Sequence, residues 1–212
     1  MKHIYFISGF GADERVFANV DFGANQTHFI PWKIPFKTET IEAYAGRMLS
    51  DIHHPNPILV GLSFGGMISV EIARLISLEK IIMFSSIKTV HEMPFYMKMA
   101  ATLRLNKWVP LKPYSFLERI ENYNLGATTP YEKKLLKEYR KKIDPRYTNW
   151  AIDHILNWKN EWRPENLIHL HGSDDHIFPL KYVKPDFVIK GGGHLMLMNN
   201  ADQVNEILKN IL

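Results

Sequence analysis

Apolar and polar residues along this chain fall into blocks with two different periods. Short unbroken apolar runs recur, among them Ile4-Tyr5-Phe6-Ile7, Ile58-Leu59-Val60 and Ile81-Ile82-Met83-Phe84. Such runs are what parallel strands show when both faces of the sheet are covered. They predict strands over His3–Ser8, Thr27–Pro31, Pro57–Leu62, Lys80–Ser86, Asn166–His171 and Pro185–Ile189. Between them the period lengthens to that of a helix. Ile41, Ala45, Met48, Leu49 and Ile52 share a face over Glu39–Ile52, and Val204, Ile207, Leu208 and Ile211 share one over Ala201–Leu212. Met67 to Ile76 reads as a mostly buried helix. The alternation predicts an α/β fold: a three-layer α/β/α sandwich on a mostly parallel sheet of about six strands. Functional loops then lie at the carboxyl ends of the strands.

One region breaks the alternation. Almost 80 residues between Ser86 and Asn166 contain no strand pattern. Thr129-Pro130-Tyr131-Glu132 is a strong helix start, with a Thr N-cap, Pro at the first helical position and Glu at the third. That helix is expected to end before Asp144-Pro145, with further helices over Phe95–Leu105 and Tyr147–Trp158. The chain therefore divides into a core, 1–87 and 166–212, and a helical insertion, 88–165, lying over the sheet end. The insertion holds Trp108, Trp150, Trp158 and Trp162, expected to form mostly a small core of its own. Met93, Phe95, Tyr96, Met97 and Met99 stand equally well for core residues or for the wall of a substrate cleft.

Composition narrows the class. At 212 residues, 46% hydrophobic and 23% charged, the chain is ordinary globular material, with no stretch long enough for a membrane span. Met1–Ser8 lacks a signal-peptide pattern and reads as a buried strand, so cytoplasmic residence is the default expectation. The absence of cysteine rules out disulfides, thiolate metal sites and a cysteine nucleophile. Charge is uneven: Lys88 to Glu165 carries 15 Lys and Arg against 9 Asp and Glu, and the remainder 11 against 13. The densest cluster, Lys133, Lys134, Lys137, Arg140, Lys141 and Lys142, reads as a solvated helix face. Its alternative is a surface attracting an anionic substrate, an acidic carrier or a membrane. No nucleic-acid recognition motif accompanies the charge, and nothing in the sequence addresses oligomeric state.

The chemistry centres on Gly61-Leu62-Ser63-Phe64-Gly65-Gly66, directly after an apolar strand. A serine in G-x-S-x-G between strand and helix reads as a nucleophile elbow. Glycines on both sides permit the tight turn that lifts a hydroxyl off the sheet, and the N-terminus of the following helix favours a developing oxyanion. The plain alternative is an N-capping serine, which needs no flanking glycines. Ser63 requires a general base, and the base an orienting carboxylate. Among ten histidines, His194 follows Gly191-Gly192-Gly193 after the last strand and precedes the final helix. His53 and His54 read as surface residues before a Pro-rich turn. The other histidines lack metal-ligand spacing, so neither metal nor cofactor is expected. Asp174 and Asp175 follow the strand ending at His171, and only one of them can face His194. The loop Ser8-Gly9-Phe10-Gly11 after the first strand is expected to supply one oxyanion N–H, from Phe10, and Phe64 the other.

These residues together resemble the α/β-hydrolase fold, and the likeness spans nearly the whole chain. It is carried by Ser8–Gly11, Gly61–Gly66, Gly172–Pro179 and Gly192-Gly193-His194. Members of that superfamily often show G-x-x-D-x-x-x-P with the Asp as the acid. Here Gly172-Ser173-Asp174-Asp175-His176-Ile177-Phe178-Pro179 aligns Asp175 with it. The resemblance implies a lid where the insertion falls. Two features depart from it: the leading antiparallel hairpin is missing, and Ser8-Gly9 stands where many relatives have His-Gly. It implies a serine hydrolase cleaving a small or medium acyl ester or thioester through Ser63, His194 and Asp175. A triad-based lyase, C–C hydrolase or perhydrolase uses the same residues, and a ligand-binding protein with minimal turnover is the alternative of another class.

Overall fold

The structure, a computed structural model, describes residues 1–104 and 115–212. Six strands, β1 (His3–Ile7), β2 (Gln26–Phe29), β3 (Ile58–Leu62), β4 (Lys80–Phe84), β5 (Leu167–Gly172) and β6 (Phe187–Ile189), form one sheet in the order β2-β1-β3-β4-β5-β6. Every neighbouring pair is parallel. β6 starts two residues after the expected Pro185, because proline cannot donate to a sheet ladder.

The eight α-helices among the described residues are α1 (Ile41–Met48), α2 (Phe64–Ala73), α3 (Phe95–Thr102), α4 (Ser115–Leu125), α5 (Pro130–Lys142), α6 (Pro145–Leu156), α7 (Met196–Asn199) and α8 (Ala201–Ile211). Of these, α4 and the short α7 had no counterpart in the periodicity. α5 carries the expected capping box, Thr129 with Glu132. Asp144-Pro145 ends α5 and also opens α6: the Asp144 side chain accepts the Arg146 N–H, and Pro145 occupies the first turn. The expected α3 terminus at Leu105 lies outside the described residues.

Strand alternation divides the core into two layers. One face of the sheet, with Tyr5, Ile7, Leu59, Ile81 and Met83, packs on α1, α2 and α6. The other, with Ile4, Phe6, Val60, Leu62 and Phe84, packs on α5, α7 and α8. Together they make the three-layer sandwich.

The tryptophans behave differently from expectation. Trp150 and Trp158 join the first of these layers instead of forming a separate core. Trp150 lies 4.3 Å from the Tyr44 ring and donates to Glu39 O at 2.7 Å, and Trp158 donates to Glu71 Oε1 at 2.7 Å. The amphipathic face of α6 thus docks on α1 and α2, where far more apolar surface is available than within the insertion. Trp162 is half-exposed beneath the Arg74 guanidinium. Trp108 lies outside the described residues. On α5, Lys133, Lys134, Lys137, Lys141 and Lys142 face solvent, and Arg140 pairs with Glu118 and Glu121. This is the solvated helix face.

Candidate active site

β3 delivers the chain to Ser63 at the carboxyl end of the sheet, next to its centre. The Ser63 backbone has φ 53° and ψ −118°, a conformation L-residues rarely adopt. It is held there by its N–H donating to Phe84 O at 2.9 Å and by Ser86 Oγ donating to Ser63 O at 2.7 Å. The Ser63 side chain makes no capping bond to α2, so the N-cap alternative does not describe it. The flanking glycines serve close approach, since neither is at positive φ. A Cβ at Gly65 would stand 2.2 Å from Ile7 O and 2.4 Å from Ser8 O, and one at Gly61 would stand 2.6 Å from Gly65 O. Backbone oxygens of a central strand cannot yield. Gly65→Ala is therefore expected to destabilise the fold by about 3 kcal/mol, read as a lower urea midpoint with unchanged slope.

The three residues expected to converge do so. His194 Nε2 lies 2.9 Å from Ser63 Oγ, and His194 Nδ1 lies 2.8 Å from Asp175 Oδ2. His194 is reached through the loop after β6. There a Cβ on Gly172 would meet Gly192 O at 2.1 Å, so the acid loop and the histidine loop touch through bare backbone. Asp174 is exposed and takes the Ser173 hydroxyl, whereas Asp175 is buried. Asp175 Oδ1 accepts the N–H groups of Ile177 and Phe178 at 2.8 and 2.9 Å, which aims Oδ2 at the imidazole. Burial pushes the Asp175 carboxyl up. The facing His194 charge and hydrogen bond, helped by His171 and the Phe178 N–H, outweigh this and hold it below the ordinary carboxylate range. It is thus ionised at neutral pH. A carboxylate accepts, so His194 Nδ1 carries a proton toward Asp175 while Nε2 faces the serine hydroxyl.

The loop after β1 lies against Ser63: a Cβ on Gly9 would be 3.5 Å from Ser63 Cβ. Ser8 holds the loop's turn, donating to Ala12 O at 2.7 Å and accepting from Trp32 Nε1 at 2.9 Å. The Phe10 ring stacks on Tyr147 of α6, and the Phe64 ring on Trp32. Phe64 opens α2, so its N–H has no partner within the helix.

Sequence reading missed a buried polar chain behind the acid. Lys88, nearly buried, donates to Glu92, Lys184 O and His169 Nδ1 at 2.8, 2.5 and 3.2 Å. His169 Nε2 is 3.1 Å from His171 Nδ1, and His171 Nε2 is 2.7 Å from Phe178 O and 3.5 Å from Asp175 Oδ2. An ammonium only donates and a carbonyl only accepts, so each ring has its proton on Nε2 and the chain runs one way, from Lys88 toward Asp175. The available signal was the pair His169 and His171, two apart on one face of a buried strand.

Desolvation lowers the acidity range of both rings, most strongly for His169, where Lys88 adds repulsion. They are neutral in the fold and free to charge when unfolded. Below the unfolded histidine pKa of about 6.5 the unfolded chain takes up protons that the folded one refuses. Stability is therefore full above that pH and falls beneath it, by up to about 1.4 kcal/mol per pH unit for each ring. Urea unfolding between pH 7.5 and 5 is expected to show this slope, and a flat profile contradicts it.

A separate cavity of about 460 Å³, lined by Glu71, Arg74, Asp153 and His154 among others, lies at the other end of α2 and includes none of these groups. Among the described residues no helix is long and apolar enough to cross a membrane.

No protein-family profile and no curated protein matches the chain in sequence. Solved structures do match in shape. A thermophilic esterase from Thermogutta terrifontis superposes with TM-score 0.70 at 18% identity, covering 99% of this chain and 89% of the other. A bromoperoxidase from Bacillus anthracis gives 0.72 at 15%, with 98% and 90% covered. The N-acyl homoserine lactonase AidH gives 0.69 at 17%, with 99% and 88% covered. Their reactions differ and their architecture is shared with this chain, whose six parallel strands between two helical layers have the α/β-hydrolase fold.

Proposed function

We propose that this protein is a serine hydrolase that cleaves small or medium acyl esters or thioesters. The observation that carries the reading is the unbroken succession from Ser63 Oγ to His194 Nε2 and from His194 Nδ1 to Asp175 Oδ2. As His194 Nε2 takes the hydroxyl proton, Ser63 Oγ attacks the acyl carbon. The carbonyl oxygen becomes an oxyanion, held by the N–H groups of Phe64 and Phe10. The intermediate collapses, and His194 returns the proton to the leaving alcohol or thiol. Water then attacks the acyl-enzyme with His194 again as base, which releases the acid and restores the Ser63 hydroxyl. Asp175 stays ionised throughout and stabilises the transient imidazolium.

Within the helical segment 88–165, α3 and α4 are assigned as the lid, because α5 and α6 pack into the two layers of the core. Two contacts support this: Gly126, just after α4, lies 3.3 Å from where a Gly193 Cβ would stand, and Tyr96 of α3 donates to Ile177 O beside the acid. Met93 is buried in the core, while Phe95 and Met99 on α3 and Leu103 at its C-cap are exposed at helical spacing. That apolar stripe is assigned to the acyl chain.

Labelling with a fluorophosphonate, followed by profiling p-nitrophenyl esters and acyl thioesters of increasing chain length, tests the reading. Stoichiometric labelling at Ser63 and steady turnover are expected. A burst without turnover would instead identify a binding protein. A triad of this kind also serves perhydrolases, which makes peracid formation from acetate and peroxide the second activity to assay.

A further inference from the structure

Three histidines from separate segments meet at the end of β1 remote from Ser63. His3 opens β1, His28 lies on β2 in register with Tyr5, and His54 comes from the loop before β3. Alternation puts His3, Tyr5 and His28 on one face of the sheet. His3 Nδ1 is 3.2 Å from His28 Nε2, the His3 and His54 rings are 3.4 Å apart, and one nitrogen from each ring lies within 4.8 Å of the other two. Tyr5 Oη, buried beneath them, pairs with His54 Nδ1 at 2.6 Å and accepts the His53 N–H at 3.0 Å. This contact occupies His54 Nδ1 and leaves Nε2 as the nitrogen free to bind.

We propose that His3, His28 and His54 form a binding site for a borderline divalent transition metal, with Zn²⁺ as the representative ion. Imidazole suits zinc, copper and nickel, and the absence of carboxylate from the cluster disfavours calcium and magnesium. Two nitrogens on a tetrahedral zinc at about 2.0–2.1 Å are about 3.3 Å apart. The His3–His28 pair already has that separation. The third nitrogen needs to close by at most about 1.5 Å, the difference between 4.8 Å and that spacing, and because the His3 and His54 rings stack at 8° one of them must turn out of the stack for the in-plane lone pairs to converge. All three rings are half-buried, so an ion can reach them and water can fill the fourth position. The bound ion ties the edge strand β2 to β1 and to the loop before β3, a structural role at the opposite end of the strands from the nucleophile. Position along the chain hid the site, because the ligands come from three elements and share no local spacing.

The test uses the tag-free chain titrated with ZnCl₂ in a non-chelating buffer, followed by calorimetry and thermal unfolding. One Zn²⁺ per chain is expected to bind with micromolar Kd and to raise Tm by about 5–10 °C at a hundredfold excess over Kd. His28→Gln and His54→Gln should each weaken binding at least tenfold and remove the shift, while their own metal-free Tm and ester turnover stay near the parent values. Absence of binding, or binding unchanged in both variants, would overturn the assignment.

Discussion

Ser63→Ala is expected to lower turnover of an activated acyl ester by about 10⁶-fold, equivalent to about 8 kcal/mol of transition-state stabilisation, and to abolish fluorophosphonate labelling. The loss is this large because the two serine hydroxyls bonded within the elbow cannot substitute. Ser86 Oγ is committed to Ser63 O and Ser69 Oγ to Gly65 O, and both residues are fully buried. On the proposed mechanism, what remains in the variant is the contribution of oxyanion donors and binding. Turnover within tenfold of the parent, or labelling that persists at another residue, would rule out Ser63 as nucleophile.

The same position stores strain, which a second substitution exposes. Alanine keeps the unfavourable φ of 53° and glycine does not. Both variants are equally inactive, yet Ser63→Gly is expected to be about 1 kcal/mol more stable than Ser63→Ala despite glycine's greater freedom when unfolded. Equal unfolding midpoints would mean that the elbow is relaxed.

Much of this was legible in the sequence because the signals are local. Each buried strand announced itself as an apolar run, and the elbow as a strand, two flanking glycines and a helix in immediate succession. The choice of Asp175 over Asp174 needed the family resemblance. The structure sets Asp175 against His194, where it also caps the N–H groups of its own turn, while Asp174 points to solvent. What escaped was long-range. The docking of Trp150 and Trp158 on α1 and α2 depends on where α6 lies, and nothing in its own periodicity reports that. The roles of His169 and His171 depend on Lys88, some eighty positions earlier in the chain. The His3, His28 and His54 cluster needs two parallel strands and the loop before β3 to come together. In each case the chemistry is made by partners that tertiary packing supplies, so a reading one element at a time could not find it.

Asp175→Asn is expected to reduce kcat by about 10⁴-fold while the fold persists. The argument is one of hydrogen-bond direction. The asparagine carbonyl can replace Oδ1 and keep the Ile177 and Phe178 N–H groups satisfied, so the turn is preserved. Its amide nitrogen then stands where Oδ2 was and donates to His194 Nδ1. The imidazole proton is forced to Nε2, and the ring presents a donor to Ser63 Oγ where a base is required. Loss of the carboxylate also removes the charge that stabilises the imidazolium. Asp174→Asn changes only an exposed side chain and should leave kcat within about twofold. Steady-state kinetics on the two variants, with circular dichroism as the control for folding, checks both expectations. If the Asp174 variant were the impaired one, the acid would have been assigned to the wrong carboxylate.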